Sequence, residues 1–140
     1  MIIHIDNKDE LNKYFESVSG KTVALTSGYF DPLHPGHVSS FTDSYNKADF
    51  DVYTVVLNGD AMTAIKKGKA FTPAEDRAYI IHEFECVDHV VIFDNKHNTD
   101  SNEALDILKP KYFMKGGDRI DIENIPEWDT CIKNGTEVIS

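Results

Sequence analysis

Two histidines, His34 and His37, sit three residues apart in the segment Ser27-Gly28-Tyr29-Phe30-Asp31-Pro32-Leu33-His34-Pro35-Gly36-His37. That spacing puts both imidazoles on one face of a helix's opening turn, where they can donate hydrogen bonds to one anion. Pro35 suits the first helical position, Gly36 keeps the entrance small, and Gly28 lets backbone come close to a ligand. A helix start offers unpaired N–H groups and a positive dipole end, so phosphate is the ligand this chemistry favours. Two plainer readings compete: a turn with incidental histidines, and a two-histidine metal site. A metal would need a third ligand, and only Asp31 is at hand.

Lys66, Lys67 and Lys69 place three positive charges together in Ile65-Lys66-Lys67-Gly68-Lys69, on a chain with 14 Lys and Arg against 24 Asp and Glu. By itself such a cluster reads as a solvated loop. The formal net charge of −10 repels nucleic acid and anionic lipid, yet a small phosphorylated ligand can still enter a locally basic pocket. Gly20-Lys21-Thr22 mimics the end of a Walker A loop but precedes a strand and lacks the upstream glycine, so it reads as a turn. Cys86 and Cys131 have no disulfide or zinc spacing and are expected to be reduced and buried. The opening residues lack the basic start and apolar run of a signal peptide, which makes a cytoplasmic location the expectation.

The elements that must position the histidines follow from hydrophobic period. Short apolar runs predict strands over Thr22 to Thr26, Val52 to Leu57, Val90 to Phe93, Tyr112 to Met114 and Val138 to Ile139. Between them, Val38, Phe41, Tyr45 and Ala48 form a helical stripe behind Pro35. Thr72-Pro73-Ala74-Glu75 has the pattern of a capping box, opening a helix that carries Ile80, Ile81 and Phe84 inward. Asp100 or Ser101 can cap a helix with Ala104, Leu105 and Leu108 on its buried face, stopped before Pro110. A last helix runs from Pro126 to about Asn134, with Gly135 as its C-terminal cap and Trp128, Cys131 and Ile132 on one core face. Residues 1–20 read as a short N-terminal extension closing one edge. The expectation is one domain over residues 1–140: a Rossmann-like three-layer α/β/α sandwich around a parallel five-stranded sheet, with ligands at the carboxyl ends of the strands.

With those elements in place, the Gly-x-Phe-Asp-x-x-His-x-Gly-His turn resembles the signature of the HxGH nucleotidyltransferases, the cytidylyltransferase-like family. Order and spacing along roughly the whole chain are similar to the heptose 1-phosphate adenylyltransferase domain and, less closely, to glycerol-3-phosphate cytidylyltransferase. The resemblance implies transfer of a nucleoside monophosphate from ATP or CTP to a sugar phosphate or glycerol phosphate, with Mg²⁺ carried by the nucleotide phosphates and pyrophosphate released. It implies that His34 and His37 stabilise charge on the α-phosphate, and that Lys66 or Lys67 clamps the β- and γ-phosphates. Gly28, Tyr29, Phe30, Asp31, Gly36, Asp60 at the end of Val55-Val56-Leu57-Asn58-Gly59-Asp60, and Arg77 fall at nucleotide-binding positions. So do Lys115, Gly116, Gly117 and Asp118. A homodimer is implied by resemblance alone. The sequence departs from the family twice: Tyr29 stands where the heptose enzymes commonly have cysteine, and the serine- and threonine-rich segment that usually follows the last strand has no counterpart before Ser140. The alternative reading is therefore a non-catalytic protein that binds nucleotide in the same pocket.

Overall fold

Val52–Asn58 is buried at all seven positions, which requires cover on both faces of its sheet and so favours parallel neighbours joined by crossover helices. A computed structural model describes residues 1–115 and 121–140. Its strands are β1 (Ile2–His4), β2 (Val23–Gly28), β3 (Val52–Asn58), β4 (His89–Phe93), β5 (Tyr112–Met114) and β6 (Glu137–Ile139). They pair in parallel in the order β1-β4-β3-β2-β5-β6. The helices are α1 (Lys8–Val18), α2 (Pro35–Tyr45), α3 (Asp60–Lys67), α4 (Ala74–His82), α5 (Asn102–Leu108) and α6 (Trp128–Asn134). The architecture is the expected Rossmann-like one with six strands rather than five, because Ile2–His4 of the presumed extension pairs with β4. Among the described residues, no helix is long and apolar enough to cross a membrane.

Alternation along β3 splits the core in two. Tyr53, Val55 and Leu57 join Phe41 of α2 and Ala78 and Ile81 of α4 on one face, while Val56 packs with Tyr14, Met62, Leu105 and Cys131 on the other. Each such apolar side chain contributes roughly 1.5–3 kcal/mol on burial, against about 0–1 for an exposed ion pair, so the two layers decide the fold. The Tyr14 hydroxyl, buried beneath α1, lies 2.8 Å from Thr54 Oγ1.

Several local expectations are corrected. The lysine segment is not a loop: Lys66 and Lys67 form the last turn of α3, closed by Gly68 in the left-handed region at φ 85°. The Thr72 capping box does not form: Thr72 N donates to Asp31, the Glu75 carboxylate that would serve it meets His4 instead, and Asp60 accepts from Ala74 N. The buried face of α4 is Ala74, Arg77, Ala78 and Ile81, which turns Ile80 to solvent. Likewise Phe41 and Ser44 are the inward residues of α2 while Val38 and Tyr45 are exposed, and Ile132 is exposed on α6. Cys86 is only half-buried, and both cysteines are free.

A test of this packing lies in two histidines. His4 Nδ1 meets Glu10 of α1, and its Nε2 meets Glu75 of α4. The Glu75 hydrogen bond raises the imidazole above its ordinary 6.5, with Glu10 adding to it against the opposing effect of burial. A folded-state pKa above the unfolded one gives stability that is complete below 6.5 and lost as pH rises through the raised value. His89 has the opposite sign: burial, reinforced by the Met1 ammonium, pushes it down to about 4. Its contribution is lost as pH falls from the ordinary 6.5 toward that value. His4→Ala is therefore expected to cost more stability at about pH 5.5 than at about pH 8.5 in urea unfolding; an equal cost at both would refute the bridge.

Candidate functional site

The chain leaves β2 at Gly28, and a Cβ there would lie 2.8 Å from Phe30 Cζ, so the strand end must be glycine for the following ring to fold back. Phe30 takes a left-handed φ of 51°, a conformation that surrounding contacts must enforce. Here they do: the ring is buried, 5.1 Å from His37 and 5.2 Å from Phe41 between centroids. Asp31 is also buried, and its carboxylate accepts hydrogen bonds from Phe71 N at 2.7 Å and Thr72 N at 3.1 Å. That carboxylate ties the histidine turn to the segment before α4. Each of its oxygens holds one backbone N–H in place.

His34 and His37 open α2 as a reciprocal cap. Gly36 N donates to His34 Nδ1 at 3.0 Å, and His34 N donates to His37 Nδ1 at 3.2 Å. A nitrogen that accepts from a backbone N–H carries no proton, so both rings hold theirs on Nε2. The imidazoles stack at 3.8 Å with 24° between their planes. A Cβ on Gly36 would fall 2.8 Å from His34 Cε1, which explains the glycine between them. Burial, then His34 and then Lys67, hold His37 below its ordinary 6.5, so its ring is neutral at pH 7 and still presents an N–H.

Both rings line a cleft of about 370 Å³ at the carboxyl end of the sheet, whose other wall holds Thr26, Ser27, Met114 and Lys115. It lies between β2 and β5, where the strand order reverses, the position at which open parallel sheets bind ligands. Lys67 reaches the histidine turn from α3: its Nζ donates to the Asp31 carbonyl at 2.7 Å and lies 5.7 Å from the Tyr29 ring centroid. Lys66 is exposed and has no such contact. Geometry thus separates two lysines that sequence could not.

Two expected ligand residues have hydrogen-bond partners within the protein. Arg77 is 1% exposed, and its guanidinium donates to the carbonyls of Thr72, Tyr29 and Asn58 and to the Asp60 carboxylate. It pins together the ends of β2, β3 and the segment before α4. Asp60 accepts from Arg77 and from Ala74 N, capping α4. Tyr29 lines the cleft, and its hydroxyl donates to the Thr99 carbonyl at 3.0 Å. Gly116, Gly117 and Asp118 lie outside the described residues. Among those described, no group of three His, Cys, Asp or Glu could hold a metal ion.

Sequence reading missed three contributors. Asp94, just past β4, caps α3 by accepting from Ala61 N and Met62 N. Ser101 donates to Ser27 Oγ at 2.8 Å. Glu127, 3% exposed, accepts from Ser101 N at 3.1 Å and faces Lys115 Nζ at 3.7 Å. The only signal for Glu127 was a charge at the start of an otherwise apolar helical face. A further groove of about 480 Å³ between α2 and Phe84–Cys86 is apolar and contains none of these groups.

Residues 25–140 match the family described as cytidylyltransferase-like. The bifunctional protein HldE of Aliarcobacter butzleri is 34% identical over 119 residues, 82% of this chain and 24% of that protein. Its namesake in a Nitratiruptor species is 40% identical over 101 residues, 71% of this chain and 21% of that protein. The chain therefore spans about a quarter or less of the length of these curated relatives. Among solved structures, the lipopolysaccharide core biosynthesis protein from Thermoplasma volcanium superposes with a TM-score of 0.66 at 26% identity, covering 86% of this chain and 98% of that one.

Proposed function

The chain belongs to the cytidylyltransferase-like family, and from that premise we propose that it transfers a nucleoside monophosphate from ATP or CTP to a small phosphorylated acceptor, releasing pyrophosphate. The observation that carries the proposal is the pair of imidazoles whose Nδ1 atoms are both occupied by backbone N–H groups. Their Nε2–H groups are fixed donors at the mouth of a helix, suited to two non-bridging oxygens of one phosphate. The solved relative's place in lipopolysaccharide core biosynthesis favours a sugar phosphate over glycerol phosphate as acceptor.

In this reaction an acceptor phosphate oxygen forms a bond to the α-phosphorus, and the bond from that phosphorus to the bridging oxygen breaks, with pyrophosphate taking the electron pair. The attacking oxygen is already anionic at pH 7, so no general base is required. Catalysis reduces to positioning and neutralising charge. His34 and His37 meet the charge developing on the α-phosphate, and Lys67 meets the departing pyrophosphate. Mg²⁺, when carried in on the nucleotide, would supply further neutralisation of the phosphates, with phosphate oxygens and water as its suited ligands.

The test is Mg²⁺-dependent pyrophosphate release from ATP, CTP, GTP and UTP, each offered heptose 1-phosphate, glycerol 3-phosphate and other phosphorylated acceptors. One productive pair is expected. Nucleotide binding without release from any pair would overturn the transferase reading in favour of a binding protein.

A further inference from the structure

His34, His37 and Ser40 follow one another in steps of three at the start of α2, and all three line the cleft. A step of three residues advances about 4.5 Å along a helix axis. The Ser40 hydroxyl therefore stands nearly one turn beyond His37, past the N–H groups that a helix start leaves free. A hydroxyl inside a helix can return to the carbonyl four residues back, and Thr42 does so, donating to Val38 O at 3.2 Å. Ser40 does not. Among the described residues its Oγ has no hydrogen-bond partner, and it is not one of the polar atoms sealed from solvent. Thr26 and Tyr29, which line the same cleft, spend their hydroxyls on the carbonyls of Met114 and Thr99.

The surroundings of Ser40 select the group it can meet. Helix α2 contains no Lys or Arg, its neighbour Phe41 is apolar, and Lys115 across the cleft already faces the Glu127 carboxylate at 3.7 Å. A second phosphate would find little to neutralise it there. A ligand hydroxyl, which donates and accepts without charge, finds a matching partner. We propose that Ser40 reads a hydroxyl of the ligand whose phosphate the two histidines hold, which makes it a specificity residue outside the histidine motif. The inference rests on the transferase reading for its choice of ligands. Two sources offer the chemistry: the ribose of the nucleotide and the carbon chain of the acceptor.

Equilibrium binding to the full chain distinguishes them. Ligands are ATP and CTP against their 2′-deoxy and 3′-deoxy forms, and heptose 1-phosphate and glycerol 3-phosphate against forms lacking single hydroxyls. Wild type is expected to prefer the hydroxylated member of one series by about three- to tenfold, the scale of a neutral hydrogen bond. Ser40→Ala deletes only the hydroxyl and places the best helix former at a helical position, so thermal unfolding should show no loss of stability. It is expected to bring the preference close to one while binding the deoxy ligands like wild type. Ser39→Ala, on the neighbouring serine that lines a different groove, should leave the preference intact. Loss in the nucleotide series identifies ribose, and loss in the acceptor series identifies the acceptor. Absence of any preference in wild type, a preference undiminished in Ser40→Ala, or an equal loss in Ser39→Ala overturns the role of Ser40. A preference lost only in Ser40→Ala, without pyrophosphate release from any substrate pair, would sink the transferase reading and leave Ser40 standing as a ligand contact.

Discussion

Replacing His37 with alanine is expected to lower turnover by about 10² to 10³, and His34→Ala by a similar factor, because each removes one fixed donor from the transition state. Each ring also caps α2, so alanine at position 34 adds a loss of about 1 kcal/mol in stability. Asparagine separates the two effects. At position 34 its side-chain oxygen can still accept from Gly36 N, restoring the cap, while the Nε2–H donor stays missing; stability should recover and turnover should not. The pH profile provides a second reading. Neutral His37 already carries the N–H it needs, and its pKa is held below 6.5 chiefly by burial. Turnover should therefore be flat from about pH 7 to 9 and fall only on the acid side, as protonation at Nδ1 breaks its acceptance from His34 N. A loss on the alkaline side of neutrality would mean that imidazolium is the active form, and near-wild-type rates in both alanine variants would remove the histidines from the chemistry.

How far this site could be read in the sequence depended on whether each role was local. The histidine turn was legible because capping, glycine placement and the three-residue step all lie within one short segment. Strands β2 to β6 were legible because continuous apolar runs are what a doubly covered parallel sheet demands. The first strand, Ile2–His4, was missed because its identity rests on pairing with β4, 88 positions away. Helix α3 was missed because Lys66 and Lys67, with Lys69 just beyond, suggested a solvated loop, while the element is fixed by Asp94 accepting from its first N–H groups and by Gly68 closing it. Thr72 followed the local capping pattern, yet Asp31, distant in sequence, took the Thr72 N–H, and Asp60 caps the helix through Ala74 N. In each case a tertiary carboxylate or partner strand overrode a local rule, and these overrides cluster where the loops of the candidate site meet.

Arg77 is the strongest case of that kind. Arg77→Met is expected to destabilise the fold by about 3–5 kcal/mol, the range for removing one member of a buried charged network. The loss comes mainly from backbone: the carbonyls of Tyr29, Asn58 and Thr72 would each lose a donor. Asp60 adds less, because its side chain is 51% exposed and keeps Ala74 N as a partner. Against a total of about 5–15 kcal/mol for a domain, a change of this size brings the protein near its folding threshold. Arg77→Lys should recover only part of it, since one ammonium cannot span three carbonyls and a carboxylate as the planar guanidinium does. Urea unfolding of the three proteins decides the matter. A stability unchanged to within about 1 kcal/mol, the range of an ordinary surface substitution, together with a raised KM for nucleotide, would return Arg77 to the triphosphate. The expected outcome is the reverse: Arg77 acts on the reaction through Tyr29 and Asp60, by holding the end of β2 at the register that lets the histidine turn start α2.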